Sequence, residues 1–374
     1  MTTNQIYALV NAVNSQAFGQ SALAVADTSG LISLGNTVLS SSSNTEAFLN
    51  TLAQRIGRTI LRYRDYRSGL AAGMTLNDFE YGAILQKIKV QMPQAEADQM
   101  YGLVDGTSVD HYTVAKPQVD QKLFVTRTPY QFKITIQRET LREAFLSVEA
   151  MGSFIGVVFG EVRNAIELSL DNLARITLAT AIAETSGSSG RVVNLVTDYN
   201  TEASPATPLT AQTALHDPAF LAYAVARMNS VRDSMTDMST QFNDGTFPTF
   251  TPVEDMRVRV ISSFNRRLQT VVQYAAFHDE LVKYDGTFQS LNFWQSQQSP
   301  MSVDITRPSD STEVTVNNVV AMIADRDAMG IYKIDEEVLT TPVNAAGSYY
   351  NTYWHEKQLW FIDKSENFVI FTLN

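Results

Sequence analysis

The side chains that most often carry catalysis are sparse and poorly spaced in this chain of 374 residues. Its only imidazoles are His111, His216, His278 and His355. A zinc-binding helix needs two histidines four residues apart on one face, whereas His355-Glu356-Lys357-Gln358-Leu359 supplies the first and then a leucine. His355 therefore reads as a polar strand residue beside Trp354 rather than as a ligand or base. Asp325-Arg326-Asp327 offers two carboxylates, but such close positions do not set the separated geometry of an acid–base pair. The triplet reads instead as local Arg–carboxylate pairing at a strand end. Asp335-Glu336-Glu337 could hold a hard cation, but as an isolated acidic run it reads as a solvated turn. Cysteine is absent, which excludes thiol catalysis and Cys-ligated zinc. Neither a GxGxxG loop, a Walker-type phosphate loop nor a GxSxG nucleophile elbow occurs. These residues nominate no catalytic, metal or cofactor-binding group, and no cofactor is expected.

Charge points the same way. The chain has 28 Lys plus Arg against 39 Asp plus Glu, a formal net charge of −11. A generic nucleic-acid binder gains affinity from basic residues that neutralise phosphates, so this balance excludes that class. Only 18% of residues are charged, below the roughly 25% of an ordinary soluble domain. So little charge implies a surface largely covered by something else. No apolar run reaches the roughly 18 residues of a membrane span, so no membrane is expected as a partner. The small-residue stretch Ala22–Ala26 resembles a signal cleavage site, but no Lys or Arg precedes Arg55, so the charged leader segment is missing.

The elements that would position any site follow from periodicity. Residues 1–54 carry only Asp27 and Glu46 as charges and little regular apolar spacing, so they read as an arm lying on a neighbour. A short helix is expected from about Thr45, with Phe48, Leu49, Leu52, Ile56 and Ile60 as its apolar stripe. Its other face carries Arg55, Arg58, Arg62, Arg64 and Arg67, either a solvated basic face or a docking face for acidic groups of another subunit or a packaged polyanion. From Ile84 to Ile136 the spacing alternates with period two, in Ile84–Pro93, Lys122–Arg127 and Tyr130–Ile136. The polar excursion between them passes through Glu96, Asp98, Asp105-Gly106 and Asp110. This predicts a long two-stranded hairpin, acidic distally and basic near its root. Two strands alone are marginal in water, and no flanking segment obviously covers them.

A very long helix is expected from about Glu139 to Glu184, with apolar or small residues in steps of three and four. Gly152, Gly156 and Gly160 share one of its faces, which implies close backbone packing or a bend. Thr185–Gly190 reads as a linker. Beyond it the pattern is mixed: a helix opened by Asp217-Pro218, a strand at Met256–Ile261, a helix from Phe264 to Leu281, and strands at Val314–Val316 and Val319–Ala324. The chain closes with strands at Tyr349–Trp354, Gln358–Ile362 and Phe368–Leu373, with Asp363–Asn367 as the turn of a terminal hairpin.

The order of these elements resembles the major capsid proteins of tailed bacteriophages, which share the Hong Kong 97 (HK97-like) fold. The resemblance is sharpest over Lys122–Glu184, over Asn317–Tyr332, and over the closing Tyr349–Glu356 with its following strands. It implies an α+β, HK97-like capsid fold divided into a 1–75 N-terminal arm, a 76–136 extended loop, a peripheral domain of 137–190 plus 336–374 with a long spine helix, and a 191–335 axial α/β domain. The function implied is mechanical: many copies close into an icosahedral shell around double-stranded DNA. The partners implied are further copies of the chain as pentamers and hexamers, portal and scaffolding proteins, a decoration protein, and packaged DNA contacted without specificity. The location implied is the virion, after assembly in the host cytoplasm. Some relatives carry a cleaved scaffolding extension, for which 374 residues leave little room, so a separate scaffold or an intact arm is expected. On this reading the loop acids Glu96, Asp98, Asp105 and Asp110 pair with basic groups of an adjacent subunit, drawn from Arg55, Arg58, Arg62, Arg138 and Arg142. Part of the acidic excess is expected to line the inside of the shell. An encapsulin-like compartment is the alternative within the fold, and an α+β enzyme without a recognisable motif the alternative outside it.

Overall fold

The computed structural model describes residues 3–19, 24–56, 69–76, 84–93, 95, 98–109, 112, 114, 116–188, 190–245, 247–275 and 287–374. In chain order its helices are α1 (Thr3–Phe18), α2 (Thr28–Leu39), α3 (Ser42–Ile56), α4 (Gly69–Met74), α5 (Arg138–Ala144), α6 (Val148–Phe154), α7 (Gly160–Thr185), α8 (Leu195–Ala203), α9 (Ala211–Ala214), α10 (Pro218–Met235) and α11 (Ser262–Ala275). The strands are β1 (Thr75–Leu76), β2 (Leu85–Val90), β3 (Val119–Phe124), β4 (Arg127–Gln137), β5 (Val192–Asn194), β6 (Met256–Ile261), β7 (Thr287–Leu291), β8 (Val303–Thr306), β9 (Glu313–Val316), β10 (Val319–Asp325), β11 (Met329–Thr340), β12 (Tyr349–Ile362) and β13 (Phe368–Thr372). The architecture is α+β.

Two sheets organise the chain. One has the order β1-β11-β12-β4, antiparallel except for the β1–β11 pair. The other has the order β5-β13-β10-β6-β7, with β10 antiparallel to both its neighbours and the outer pairs parallel. β2 and β3 form a separate antiparallel ribbon, as do β8 and β9. Among the described residues, no helix is long and apolar enough to cross a membrane.

The expectation that the first 54 residues lie as an arm on a neighbour, without a core of their own, does not hold for the described part. Ile6, Leu9, Val10 and Val13 recur at helical spacing and are buried along α1, as are Leu31, Leu34 and Val38 along α2 and Phe48, Leu49 and Leu52 along α3. They pack with Phe145, Met151, Phe154 and Phe159 and with Tyr350 and Trp354 of β12 into one core. Each such side chain contributes about 1.5–3 kcal/mol on full burial, enough to seat the segment on its own chain. Asp27 caps α2 by accepting from the Gly30 N–H at 2.7 Å. The helix expected from Thr45 begins three residues earlier, where the Ser41 hydroxyl accepts from the Asn44 N–H at 3.1 Å. Thr45 is buried instead, its hydroxyl donating to the Val38 and Ser41 carbonyls.

The single helix expected over 139–184 is broken. α5 ends at Ala144, the Ser147 hydroxyl caps α6 by accepting from the Ala150 N–H at 3.1 Å, and Ile155–Phe159 winds as a π-turn before α7 continues to Thr185. An extra residue in a π-turn rotates the apolar stripe relative to the turns before it, so spacing in steps of three and four runs on across a change of geometry. Gly152 makes a close approach, since a Cβ there would stand 2.9 Å from Ile6 Cδ1, whereas one at Gly160 would meet nothing within 4 Å.

Past α7 the agreement is uneven. Asp217 caps α10 by accepting from the Phe220 N–H at 2.9 Å, with Pro218 at its first position. β6, β9 and β10 occupy the expected positions, and α11 starts at Ser262, with residues 276–286 outside the described set. Asp335-Glu336-Glu337 is no turn: it lies inside β11, just after a register shift at Lys333. Tyr349–Ile362 is one uninterrupted strand, and Asp363–Asn367 does not close a hairpin. It carries the chain from the four-stranded sheet to the five-stranded sheet. β13 thereby pairs with β10 and β5, in a sheet whose other strands all come from residues between 191 and 335.

Candidate subunit-contact site

Among the described residues, the hairpin and the turn that receives it form a dense charged arrangement. β2 and β3 alternate strictly, but the alternation is inverted relative to an ordinary half-buried ribbon. Lys87, Lys89 and Lys122 point toward the rest of the chain, while Ile88 (57% exposed), Val90 (56%), Val119 (58%) and Leu123 (57%) point away from it. Further out, Met100, Tyr101, Leu103, Val104, Tyr112 and Val114 are also exposed. No flanking segment is expected to cover the hairpin, and its support comes instead from a turn far away in the sequence. The hairpin is held through its polar face.

The support is the Asp363–Asn367 turn, whose Asp363, Ser365, Glu366 and Asn367 are all buried. Asp363 places Oδ2 3.0 Å from Lys87 Nζ and Oδ1 3.0 Å from Lys122 Nζ. Glu366 Oε1 pairs with Lys87 Nζ and, at 2.9 Å, with Lys89 Nζ. Lys89 also donates to the Ser365 carbonyl at 3.0 Å and to the Thr249 hydroxyl at 3.3 Å. Burial by itself would raise the Asp363 carboxyl, but Lys87 and the Ser365 hydroxyl and N–H outweigh it and hold the group well below the usual carboxylate range. Burial likewise opposes charge on Lys87, yet Asp363 and Glu366 prevail and raise the ammonium above its ordinary value. At the root, the Phe124 and Phe361 rings lie 5.2 Å apart between centroids.

The same turn reaches in two other directions. Lys364 pairs with Glu184 near the C-terminal end of α7, and Glu184 also accepts from the Ser309 N–H at 3.0 Å and hydroxyl at 2.8 Å. Burial would raise Glu184, but Lys364 and Ser309 bring it below its ordinary value. Asn367 donates to the Thr251 hydroxyl at 3.2 Å, and that hydroxyl donates to Asp325 Oδ2 at 2.7 Å. Asp325 Oδ1 accepts from the Asp327 N–H at 2.8 Å. Arg–carboxylate pairing is therefore not how the 325–327 triplet works; Asp325 caps the strand end and anchors the Thr251 loop. Burial keeps its carboxyl above the ordinary value despite those hydrogen bonds.

Of the residues nominated for contact from sequence, the structure describes Asp98, Asp105, Arg138 and Arg142 with their side chains. Asp98 is exposed and accepts from the Met100 N–H at 2.8 Å, and Asp105 is exposed in a turn with Gly106 at φ +85°. Arg138 donates from Nη2 to the Leu39 carbonyl at 2.8 Å, tying α5 to the end of α2, and Arg142 is exposed one turn on. Arg55 belongs to the last turn of α3, its side chain outside the described residues, as are Arg58, Arg62, Glu96 and Asp110 altogether. His355 lies in β12 with its ring stacked on Tyr353, and His216 sits beside Arg267, its Nδ1 3.3 Å from Nη1. His111 and His278 are outside the described residues. No group of three or more His, Asp or Glu among the described residues could hold a metal ion. The lysines of the hairpin and the two carboxylates of the turn escape the sequence reading. Their signal is nonetheless there: Lys87 and Lys89 share one strand face, and a five-residue turn with two carboxylates supplies the counter-charge.

Comparison with known proteins gives a consistent result. The family model for the Phi29-like phage major capsid protein matches residues 9–372. No curated protein matches the chain. Among solved structures, the fold is similar to a chain in the capsid structure of Staphylococcus phage Andhra, with 11% identity, 84% of this chain and 87% of that one covered, and a TM-score of 0.53. It is similar also to a chain in the structure of head fiber and inner core protein gp22 of native bacteriophage P68, with 12% identity, 84% and 87% covered, and a TM-score of 0.54. At such low identity the likeness is one of fold.

Proposed function

Because the chain belongs to the Phi29-like phage major capsid protein family and is a phage major capsid protein, we propose that its copies interlock through the hairpin into pentamers and hexamers of an icosahedral shell. The observation that carries this reading is the inverted hairpin. A ribbon that turns its lysines onto its own chain and leaves Ile88, Val90, Val119 and Leu123 outward has used its polar face intramolecularly. Exposed apolar patches of this kind mark interaction surfaces. A second copy is the partner that a closed shell provides, and heterologous contacts of one patch with a different patch close into rings.

On this reading the shell encloses double-stranded DNA without gripping it, as the net charge of −11 favours. Portal, scaffolding and decoration proteins complete the particle, and the chain resides in the virion after assembly in the host cytoplasm. The loop acids Asp98 and Asp105, with Glu96 and Asp110, meet basic groups of an adjacent copy such as Arg55, Arg58, Arg62, Arg138 or Arg142. Exposed pairs of this kind contribute about 0–1 kcal/mol each, so they set register more than strength. Electron microscopy of the purified protein tests the proposal. Closed shells tens of nanometres across are the expected result, and discrete small particles under all assembly conditions would overturn it.

A further inference from the structure

Lys87 and Lys122 stand directly opposite each other in the β2–β3 register. Like charges so placed push two strands apart. Here one buried carboxylate, Asp363, gives an oxygen to each, and Glu366 adds a second anion between Lys87 and Lys89. The pairing of the ribbon and its attachment to the molecule thus depend on the same two groups. Those groups sit in the connection that runs from β12 to β13, between the two sheets. Lys364 in that connection holds the end of α7 through Glu184, and Asn367 holds the Thr251 loop.

We infer that the Asp363–Asn367 turn is an electrostatic clamp that keys the direction of the hairpin to the junction of the two sheets and to the end of α7. The hairpin is then a lever: rotation of one sheet against the other swings it, and its outer face is aimed before any partner arrives. Apolar packing adds to the clamp at the root, where Phe124 meets Phe361. The clamp belongs to a single copy of the chain and holds whatever the outer face meets.

Hydrogen–deuterium exchange on the unassembled full-length chain tests this. Glu366→Gln and the double variant Lys87→Met/Lys122→Met are compared with the parent chain and with Asp105→Asn on the distal loop. The expected result is exchange about tenfold faster or more over residues 85–90 and 119–124 in both clamp variants, a smaller acceleration over 181–185 and 368–372, and no change in α1–α3 or in Asp105→Asn. Unchanged exchange in the hairpin would overturn the clamp. A loosened hairpin with unaltered exchange over 181–185 and 368–372 would overturn the coupling, and uniform acceleration through α1–α3 would show general destabilisation in its place. Should the double variant not fold, Lys122→Met alone supplies the same comparison, because its partly exposed side chain leaves the buried anions paired with Lys87 and Lys89.

Discussion

Lys122 Nζ lies 3.0 Å from Asp363 Oδ1, and this contact joins the returning strand of the hairpin to the crossing point between the two sheets. Asp363 is fully buried in its side chain while its lysine partners are partly exposed, so the carboxylate has no alternative in water if the lysines leave. Asp363→Asn keeps the shape and removes the charge. A loss of about 1.5–3 kcal/mol is expected, the range for hydrogen bonds to charged groups. The pH dependence has a definite sign. A carboxyl held below its unfolded value contributes stability above that value, near pH 4, and loses it as the pH falls through the folded value. The gap between parent and variant in chemical denaturation should therefore be flat from about pH 8 to pH 5 and close only below about pH 4.

Glu336 and Glu356 are direct cross-strand partners in β11 and β12, and burial first, then Glu336 and Glu167, keep Glu356 above its ordinary value against the pull of Lys333 and Gln358. A carboxyl raised in this way favours the folded state when protonated, so the cost appears as the pH rises through the unfolded value and is complete above the folded one. Glu356→Gln should stabilise the chain at about pH 8 by about 0.2–1 kcal/mol, the size of an opposed like-charge pair. The gain should vanish at about pH 4. Thermal unfolding at the two pH values checks it.

The outward hairpin face gives a prediction about assembly separate from stability. Ile88→Asp or Leu123→Asp places a charge on a surface that is exposed in the single chain. The unfolding free energy should shift by less than about 0.5 kcal/mol, as for ordinary surface substitutions. Sedimentation and negative-stain microscopy should show shells lost or malformed. Intact shells from both variants would remove the hairpin face from the interface.

Glycines separate the close contacts from the permissive ones. A Cβ at Gly35 of α2 would stand 2.6 Å from Phe145 Cβ, near the break between α5 and α6. Gly35→Ala should cost about 1–3 kcal/mol through overpacking despite its better helix propensity. Gly160→Ala, with nothing within 4 Å, should gain up to about 1 kcal/mol. Denaturant titration of the two variants measures the contrast.

Local pattern is a good guide wherever a residue's conformation is decided by its near neighbours. Asp217-Pro218 marks the start of α10, and Val319–Ala324 reads as a strand because a continuous apolar run of that length suits a strand buried on both faces, as every residue of β10 is. The alternating strands β2, β3 and β4 and the helical run of α7 are likewise legible, and with them the α+β HK97-like fold, although the one helix expected over 139–184 is broken before Gly160. Two matters are decided by tertiary contact alone. The first is the seat of the first 54 residues, which read as coreless because their apolar residues are spread over short helices. Those helices become stable by packing on Phe145, Met151, Phe154 and Trp354, all far away in the chain, and Phe48 meets Phe145 with ring centroids 5.4 Å apart.

The second is the sense of the hairpin. Alternation with period two shows that β2 and β3 have one apolar and one lysine-bearing face, but not which face turns inward. That choice depends on what lies beneath, and beneath lie Asp363 and Glu366, brought there because the chain crosses between sheets at that turn. Buried carboxylates favour the lysine face over the apolar one, since an unpaired buried charge costs more than an exposed valine or isoleucine. Sequence therefore determined the elements and their family, and the meeting of the hairpin with the inter-sheet turn determined which surface is left for a partner.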